Sequence, residues 1–267
     1  MHYTKISTIS IKAFSLIELS IVLTIIGLLV AGISSGSAFI YNAKLRSVMS
    51  DVEHYQTALT TFADSYGELP GDMKDSSALK FFGVTNKVRN SYNPANDGFI
   101  GGAHEAAMAF WHMSLAELIF GEYNGVYSGT VEVPGINVGK AKFSKNSGFH
   151  FFTLGVTSNA WGYGSSSVYL KTHKNVLTFS KTRSDGYVLG DSALTPLQAY
   201  DIDIKKDDGL PHAGSVMADH GVDVGNNNQC INYAKSATSY IASDSPLEYR
   251  RIEDHNKKCR MMFEMTR

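Results

Sequence analysis

The sequence predicts an α+β fold in which a long N-terminal membrane and assembly helix packs on a C-terminal globular domain with an antiparallel sheet. Three features support this prediction: an apolar run begins at Phe14, an amphipathic helical pattern follows it without a proline, and β-like runs separated by turn residues occupy the second half of the chain. The formal net charge is -1. This balance lacks the basic excess typical of nucleic-acid binding, so no nucleic-acid partner is expected.

The apolar run from Phe14 to Ile33 is long enough to cross a membrane. Between Phe14 and Ala43 the only formally charged side chain is Glu18. About 20 helical residues span the hydrocarbon core of a bilayer. Lys12 precedes the run, so the positive-inside rule favours an N-terminus in the cytoplasm.

A cleaved secretory signal peptide is the alternative explanation of this segment. Its apolar core would be shorter and would end at small residues, for which Ala31-Gly32 and Ser35-Gly36-Ser37 are candidates. A charge inside an apolar membrane segment costs about 2.5 kcal/mol or more and usually marks a functional residue. Glu18 therefore favours a membrane segment that does more than anchor the chain.

The residues from Lys12 to Leu19, with the sequence KAFSLIEL, resemble the prepilin cleavage motif. Type IV pilins and the pseudopilins of type II secretion systems share that motif. The resemblance covers only the N-terminal segment and implies that a prepilin peptidase cuts between Ala13 and Phe14 and then N-methylates Phe14. The family usually has Gly before the cut, so Ala13 predicts that cleavage is retained at a lower rate.

The resemblance also implies a role for Glu18 in setting the register of filament assembly. In the family the equivalent glutamate meets the terminal amine of a neighbouring subunit, and pairing relieves the penalty on a carboxylate in lipid. A protonated Glu18 that bonds to its own helix is the alternative. The implied partners are prepilin peptidase, like subunits and an inner-membrane assembly platform. The implied location is the bacterial inner membrane, with the C-terminal domain in the periplasm, followed by a periplasmic or extracellular filament.

The helical pattern continues beyond the membrane segment. From residue 45 onward, apolar side chains recur at spacings of three and four residues, which predicts a buried stripe on one face of a helix. Charged side chains, among them Asp51, are expected to fall off this stripe. The stripe consists of Leu45, Val48, Val52, Tyr55, Leu59, Phe62 and Tyr66.

These patterns divide the chain into three parts, in a pilin-like plan. Residues 1–13 form a leader, residues 14–66 form one long helix, and residues 67–267 form a soluble α+β head domain. Within the helix, residues 14–40 are the transmembrane and filament-core segment, and residues 41–66 are the amphipathic segment. At 1.5 Å per residue such a helix would be about 80 Å long.

The soluble part is predicted to contain three further helices and several strands. Helical spacing indicates helices over Ser76–Phe82 and His104–Phe120. Thr195 and Pro196 suit the N-cap and the first position of a helix that ends near Lys206. The β-like runs are residues 131–138, 149–156, 168–170, 176–179 and 187–189.

Cys230 and Cys259 are the only two cysteines. In a chain with an export signal, such a pair predicts one disulfide bond. Two unrelated buried thiols are the alternative.

One candidate calcium site lies in a polar loop. The stretch from Asn93 to Ile100 resembles part of an EF-hand loop, with Asn93 and Asp97 as ligands. Ala95 removes one ligand, and the closing acid, Glu105, stands one residue late. A polar turn is therefore the alternative.

A second candidate calcium site lies at Asp207 and Asp208, which crowd the end of a predicted helix together with Asp201 and Asp203. Carboxylates there oppose the helix dipole unless a cation compensates. A structured surface loop is the alternative. Calcium is therefore a possible ligand of either loop, and no other cofactor is expected.

The sequence lacks the motifs that would indicate an enzyme. It has no HExxH zinc motif, no nucleophile elbow and no phosphate-binding Walker loop. The leading hypothesis is therefore a structural subunit of a type IV pilus or of a type II secretion pseudopilus. The alternative is a signal-anchored periplasmic or surface domain for binding or adhesion that does not polymerise.

Overall fold

The computed structural model describes residues 15–86, 94–127, 132–154, 174–183, 189–224, 230–231, 248–250 and 256–265. The chain divides into two compact units, an N-terminal unit of Met1–Ala43 and a head unit of Lys44–Arg267. The helices are α1 (Leu16–Tyr66), α2 (Asp75–Phe82), α3 (Ala103–Leu115) and α4 (Pro196–Lys206). The strands are β1 (Gly139–Lys140), β2 (Ser147–Leu154), β3 (Lys174–Thr182), β4 (Leu189–Asp191), β5 (Val216–His220) and β6 (Cys259–Glu264).

The amphipathic stripe of α1 is confirmed in the head unit. Its members from residue 45 to residue 62 are at most 5% exposed, whereas Tyr66 is half-buried. Tyr55 packs against Phe110 of α3, with 5.4 Å between ring centroids, and against Phe149 of β2, with 5.2 Å. Full burial of a large apolar side chain contributes about 1.5–3 kcal/mol. The stripe therefore attaches the second half of α1 to the core of the head unit.

Asp51 on α1 departs from the sequence prediction. It was expected to lie off the buried stripe, but it is only 4% exposed. Its Oδ1 lies 2.8 Å from Nζ of Lys142, and its Oδ2 accepts the backbone N–H of Lys142 at 3.0 Å. The segment between β1 and β2 thus covers this carboxylate and supplies both a charge and a hydrogen bond. Periodicity along one helix cannot reveal a partner that lies so far away along the chain.

The predicted antiparallel sheet is confirmed, and it has six strands in the described part of the chain. The order is β1-β2-β3-β6-β5, with β4 also paired to β3. Every residue of β2 is buried. One face of the strand contacts α3, and the side chains on the other face contribute to an apolar cluster on the opposite side of the sheet. That cluster consists of Phe152, Leu154, Val176, Met217 and Met262. The sheet is therefore covered on both faces rather than on one.

Two of the predicted helices of the head unit are confirmed. The helix predicted over Ser76–Phe82 is α2, and the helix predicted after Thr195 is α4. At the start of α4, the Thr195 side chain accepts the N–H of Gln198, and the Gln198 side chain accepts the N–H of Thr195. This reciprocal capping box satisfies two backbone donors that a helix start leaves unpaired.

Other predicted boundaries were wrong. Helix α3 ends at Leu115 rather than near residue 120, because Glu117 adopts a left-handed conformation with φ of 56°. Residues 134–138, predicted as part of a strand, form a turn closed by the N–H of Gly135 and the carbonyl of Val138 at 2.8 Å. The predicted strand over residues 168–170 lies outside the described residues.

The predicted disulfide joins Cys230 to Cys259, with 5.0 Å between the Cα atoms. Both cysteines are fully buried. Cys259 begins β6, and its backbone N–H donates to the carbonyl of Leu194 just before α4. The crosslink therefore fixes the start of β6, which lies between β3 and β5 in the sheet.

Removal of the disulfide should destabilise the head unit. We expect the double variant Cys230→Ala, Cys259→Ala to lose about 3–4 kcal/mol of unfolding free energy, because the unfolded chain is no longer restricted by the crosslink. Urea denaturation of the full chain in detergent micelles, followed by tryptophan fluorescence, measures this loss. The reduced wild-type protein is the control and should match the double variant. An unchanged midpoint after reduction would contradict the prediction.

Candidate functional site

The N-terminal unit exposes a continuous apolar helical surface. An 18-residue window of α1 has a mean hydropathy of 2.5, and none of its residues is buried. Among the described residues, α1 is the one helix that is long and apolar enough to cross a membrane. A surface this apolar is unfavourable in water and indicates a membrane or a protein partner. The large exposed side chains are Leu16, Ile17, Leu19, Ile21, Val22, Leu23, Ile25, Ile26, Leu28, Leu29, Val30, Ile33, Phe39 and Ile40.

Three hydroxyl groups described in this surface are satisfied within the helix. Oγ of Ser20 donates to the carbonyl of Ile17 at 2.9 Å, and Oγ1 of Thr24 donates to the carbonyl of Ser20 at 2.7 Å. Oγ of Ser37 donates in the same way to the carbonyl of Ile33 at 3.1 Å. Such bonds lower the cost of hydroxyl groups in lipid, because no water is needed to satisfy them. The surface is thus compatible with an apolar environment despite its polar residues.

Glu18 lies in the first turn of α1 and contacts the start of its own helix. Its Oε2 accepts the backbone N–H of Ser15 at 2.8 Å, and Oγ of Ser15 accepts the N–H of Ile17 at 3.3 Å. Ser15 thus acts as an N-cap of α1, and the carboxylate of Glu18 benefits from the positive end of the helix dipole. The two other N-terminal residues predicted to matter, Ala13 and Phe14, lie outside the described residues.

The predicted pair Asp207 and Asp208 is joined by a third acid, Asp203. Ligand oxygens of the three residues lie within 4.8 Å of one another. Asp203 belongs to the same acidic run at the end of the predicted helix, one turn before Asp207, but only Asp207 and Asp208 were predicted as ligands. The structure brings these two together with Asp203.

Hydrogen-bond donors already surround these three carboxylates. Oδ2 of Asp203 accepts the hydroxyl of Tyr249 at 2.7 Å, and Oδ1 accepts the N–H of Gly209 at 3.1 Å. Oδ1 of Asp208 accepts the N–H of Leu210 at 2.8 Å. Burial and the neighbouring carboxylates raise the pKa of Asp203 to about 7, although the hydrogen bonds oppose this shift. These hydrogen bonds hold the loop after α4 against the end of the helix.

Asp207 has a further structural role at the edge of the sheet. Its Oδ2 accepts the N–H groups of Ser215 and of Val216, the latter at 3.0 Å. The next outward-facing N–H of β5, that of Ala218, donates to the carbonyl of Pro211 at 2.8 Å. Unpaired edge strands invite pairing with other chains. The loop after α4 therefore covers the edge of β5.

The loop that resembles part of an EF-hand is arranged differently from a calcium loop. Asp97 is exposed, and its Oδ1 accepts the N–H of Phe99 at 3.0 Å. Glu105 accepts the N–H of Ala95 at 3.4 Å and that of Gly101 at 2.6 Å. In an EF-hand, oxygens converge on the ion, whereas here backbone amides point at the carboxylates. Asn93 lies outside the described residues, and calcium binding by Asn93 and Asp97 stays a prediction.

Two pairs of polar side chains are buried next to the sheet. Nδ1 of His150 lies 2.8 Å from Oε1 of Glu132, and their side chains are 2% and 1% exposed. Arg260 contacts Asp219 at 3.0 Å, with 1% and 4% exposure. The contact with Asp219 offsets the cost of placing the charge of Arg260 in the interior.

Comparisons of the chain with models of protein families, with curated proteins and with solved structures found no match. The function must therefore be argued from the residues of the chain and from their geometry.

Asp203 should make the head unit less stable as the pH rises through neutrality. Its folded-state pKa of about 7 lies above the ordinary value of 3.8. Between about pH 4 and pH 7 the folded state holds a proton that the unfolded state has released, so the free energy of unfolding falls as the pH rises. We expect Asp203→Asn to reduce the fall in Tm between pH 5 and pH 8, measured in EDTA. Asp64→Asn, at an exposed position of α1, is the control and should retain the wild-type slope. An unchanged slope in Asp203→Asn would refute the prediction.

Proposed function

We propose that the chain is a structural filament subunit of the type IV pilin or type II secretion pseudopilin class. The observation that carries this proposal is the exposed apolar surface of α1, in which Glu18 is the only charged side chain from Ser15 to Ala43. The second half of the same helix has a buried stripe in the head unit. A helix with this division suits a subunit whose first half is held by lipid or by neighbouring helices and whose second half belongs to a folded domain.

The small residues of the apolar surface support helix-to-helix assembly. A Cβ atom added at Gly27, Gly32 or Gly36 would meet nothing within 4 Å, so these positions face open space in the single chain. In lipid, helices associate through close packing rather than through the hydrophobic effect, and small residues permit close approach. Helices of like subunits could therefore replace lipid around α1 when a filament forms.

Glu18 would give this assembly its register. Within residues 15–86 of the single chain, its carboxylate accepts the N–H of Ser15 in the N-terminal turn of its own helix. A neighbouring amine would add a full positive charge, which offsets the cost of the carboxylate in an apolar environment more strongly than one neutral N–H does. Subunits would therefore be favoured in the axial position that brings the amine of one to Glu18 of the next.

The proposal extends to processing and location. The precursor would sit in the bacterial inner membrane as a single-pass protein with its head unit in the periplasm. Prepilin peptidase would release residues 1–13 and methylate Phe14, and an inner-membrane assembly platform would then move the subunit into a periplasmic or extracellular filament. A buried disulfide in the head unit is consistent with an oxidising compartment.

A second candidate is a membrane-anchored domain for binding or adhesion that does not polymerise. A cleft of about 310 Å³ in the head unit favours it, since ligands bind in concave sites. Lys206 and Glu53, which pair at 3.1 Å, are among its lining residues. A domain of this kind would explain why the chain has a membrane anchor. It would not explain why a charged residue, Glu18, lies in the apolar surface of that anchor.

The mature N-terminus separates the two candidates. We expect mass spectrometry of the protein purified from membranes to find N-methylated Phe14 as the first residue. Ala13→Gly should accelerate the conversion if Ala13 slows the peptidase. An intact Met1, or a mature chain that begins near Ser37, would exclude the filament proposal.

The charge of Glu18 can be tested separately from its bond to Ser15. Glu18→Gln keeps an acceptor for the N–H of Ser15 but removes the charge, whereas Glu18→Ala removes both. We expect both variants to insert into the membrane normally and to enter sheared filaments at least about tenfold less than wild type, because the loss of one ion pair in lipid exceeds about 1.4 kcal/mol. Ser20→Ala, on the same helix, is the control and should assemble normally. Normal incorporation of Glu18→Gln would show that the register does not depend on the charge.

A further inference from the structure

The apolar segment of α1 is followed directly by a lysine. Ile40 carries the last large exposed apolar side chain of the segment, and Lys44 is the first basic residue after it. Four residues of a continuous helix correspond to about 6 Å along its axis. The polar headgroup region on each side of the hydrocarbon core is about 5–7 Å deep. When the apolar segment is embedded in a bilayer, Lys44 is therefore at the level of the lipid phosphates.

Two further lysines of the head unit flank a pair of packed aromatic rings. Nζ of Lys257 lies over the ring of Phe143, 5.7 Å from the ring centroid. That ring packs edge-on against Phe179 of β3, with 5.6 Å between the centroids. Lys181 follows Phe179 by two residues, so both side chains lie on the same face of the strand. The aromatic pair therefore places Lys257 and Lys181 on one side of the sheet.

The segment that carries Phe143 is attached to α1 close to Lys44. The carboxylate of Asp51 contacts Nζ of Lys142 at 2.8 Å and accepts the backbone N–H of Lys142 at 3.0 Å. Asp51 stands two helical turns after Lys44, so the two residues lie on the same side of the helix. The three lysines at positions 44, 181 and 257 are thus gathered in the part of the head unit where α1 begins to pack.

Electrostatics agrees with this placement. Partial burial, together with the positive charges of Lys181 and Lys44, lowers the pKa of Lys257. Among the described residues, none of these three lysines forms an ion pair. Other lysines of the head unit do contact carboxylates, namely Lys142, Lys174 and Lys206. The three gathered cations repel one another, and a negative charge next to them would offset that repulsion.

We propose that Lys44, Lys181 and Lys257 form a basic surface that binds the phosphate groups of anionic membrane lipids. Anionic lipids attract lysines close to the membrane surface, and the attraction grows with each lysine. The position of Lys44 at the end of the apolar segment makes lipid phosphates the nearest negative charges outside the chain. The proposal requires only that the apolar segment is embedded in a membrane, which both candidate functions share. The bilayer then holds the head unit as well as the helix.

An acidic surface of a second subunit is the other partner that this basic surface can attract. Such a partner is present only after a filament has assembled, whereas lipid is present around every inserted subunit. Lipid binding should therefore be detected with single subunits, and it does not depend on whether the chain forms filaments.

The lipid selectivity of the full chain tests the basic surface. The protein is placed in nanodiscs that contain equal amounts of phosphatidylglycerol and phosphatidylcholine, and native mass spectrometry counts the lipids that stay bound to single subunits after release. We expect wild type to retain phosphatidylglycerol at least about tenfold over phosphatidylcholine. The combined variant Lys44→Gln, Lys181→Gln, Lys257→Gln should reduce this preference at least about fivefold.

A matched variant controls for net charge. It removes three exposed lysines outside the basic surface and should keep the wild-type preference, because these residues do not adjoin the apolar segment. The three substitutions are Lys74→Gln, Lys80→Gln and Lys205→Gln. Equal Tm values of all three proteins in phosphatidylcholine nanodiscs verify folding. If the variant of the basic surface does not fold, Lys44→Gln with Lys181→Gln leaves the contact of Lys257 with Phe143 intact and gives the same comparison.

The source of the phosphate is tested by Tm measurements. Phosphatidylglycerol nanodiscs should raise the Tm of wild type above that in phosphatidylcholine, and high salt should reduce the rise. Inorganic phosphate at the same concentration, added to the protein in neutral detergent, should leave the Tm unchanged, and an equal rise there would instead identify a site for free anions. Equal retention of the two lipids by wild type, or an equal loss of preference in both combined variants, overturns the proposal. So does a wild type without lipid preference whose basic-surface variant fails only in filament assembly, because the partner is then another subunit.

Discussion

The packing of the α1 stripe against the aromatic residues of α3 and β2 is the interaction on which the head unit depends. Tyr55 lies between Phe110 and Phe149, and Phe110 in turn packs against Phe151, with 5.1 Å between the ring centroids. Aromatic pairs at these distances add directional contacts to the burial of apolar area. The far face of the sheet is buried as well, so the strands form the middle layer of the unit rather than its surface. The stripe thus adds a second layer of contacts to the face of β2 that α3 also covers.

The two halves of α1 differ in the distribution of apolar residues, and this difference is the physical basis of the proposed function. Up to Ala43 the apolar residues surround the helix and are exposed, whereas from Leu45 they follow one face and are buried. A helix that is apolar on all sides needs lipid or other helices around it, while a striped helix needs one folded partner. Glu18 is the exception within the first half. Its cost in an apolar environment explains why a charged partner from another subunit would be a strong determinant of assembly.

Carboxylates organise the loops of the head unit by accepting backbone amides. Asp207 covers the edge of β5, Glu105 holds the loop before α3, and Asp51 holds the segment after β1. Each of these contacts replaces regular secondary structure with a side-chain acceptor, which satisfies buried N–H groups that would otherwise be unpaired.

The sequence by itself determined the features that depend on near neighbours along the chain. Spacings of a few residues determine the apolar run, the stripe of α1, the capping box at Thr195 and the bounds of α4. The disulfide bond could be predicted because the chain has two cysteines and an export signal. Only the tertiary structure decided the partner of Asp51, the meeting of Asp203 with Tyr249, and the approach of Asp72 to Gly98. It also decided that β5 and β6 exist, because strands buried on both faces lose the alternation of polar and apolar residues that identifies a strand. Contacts between residues far apart in the chain depend on the whole fold, and local sequence patterns do not predict them.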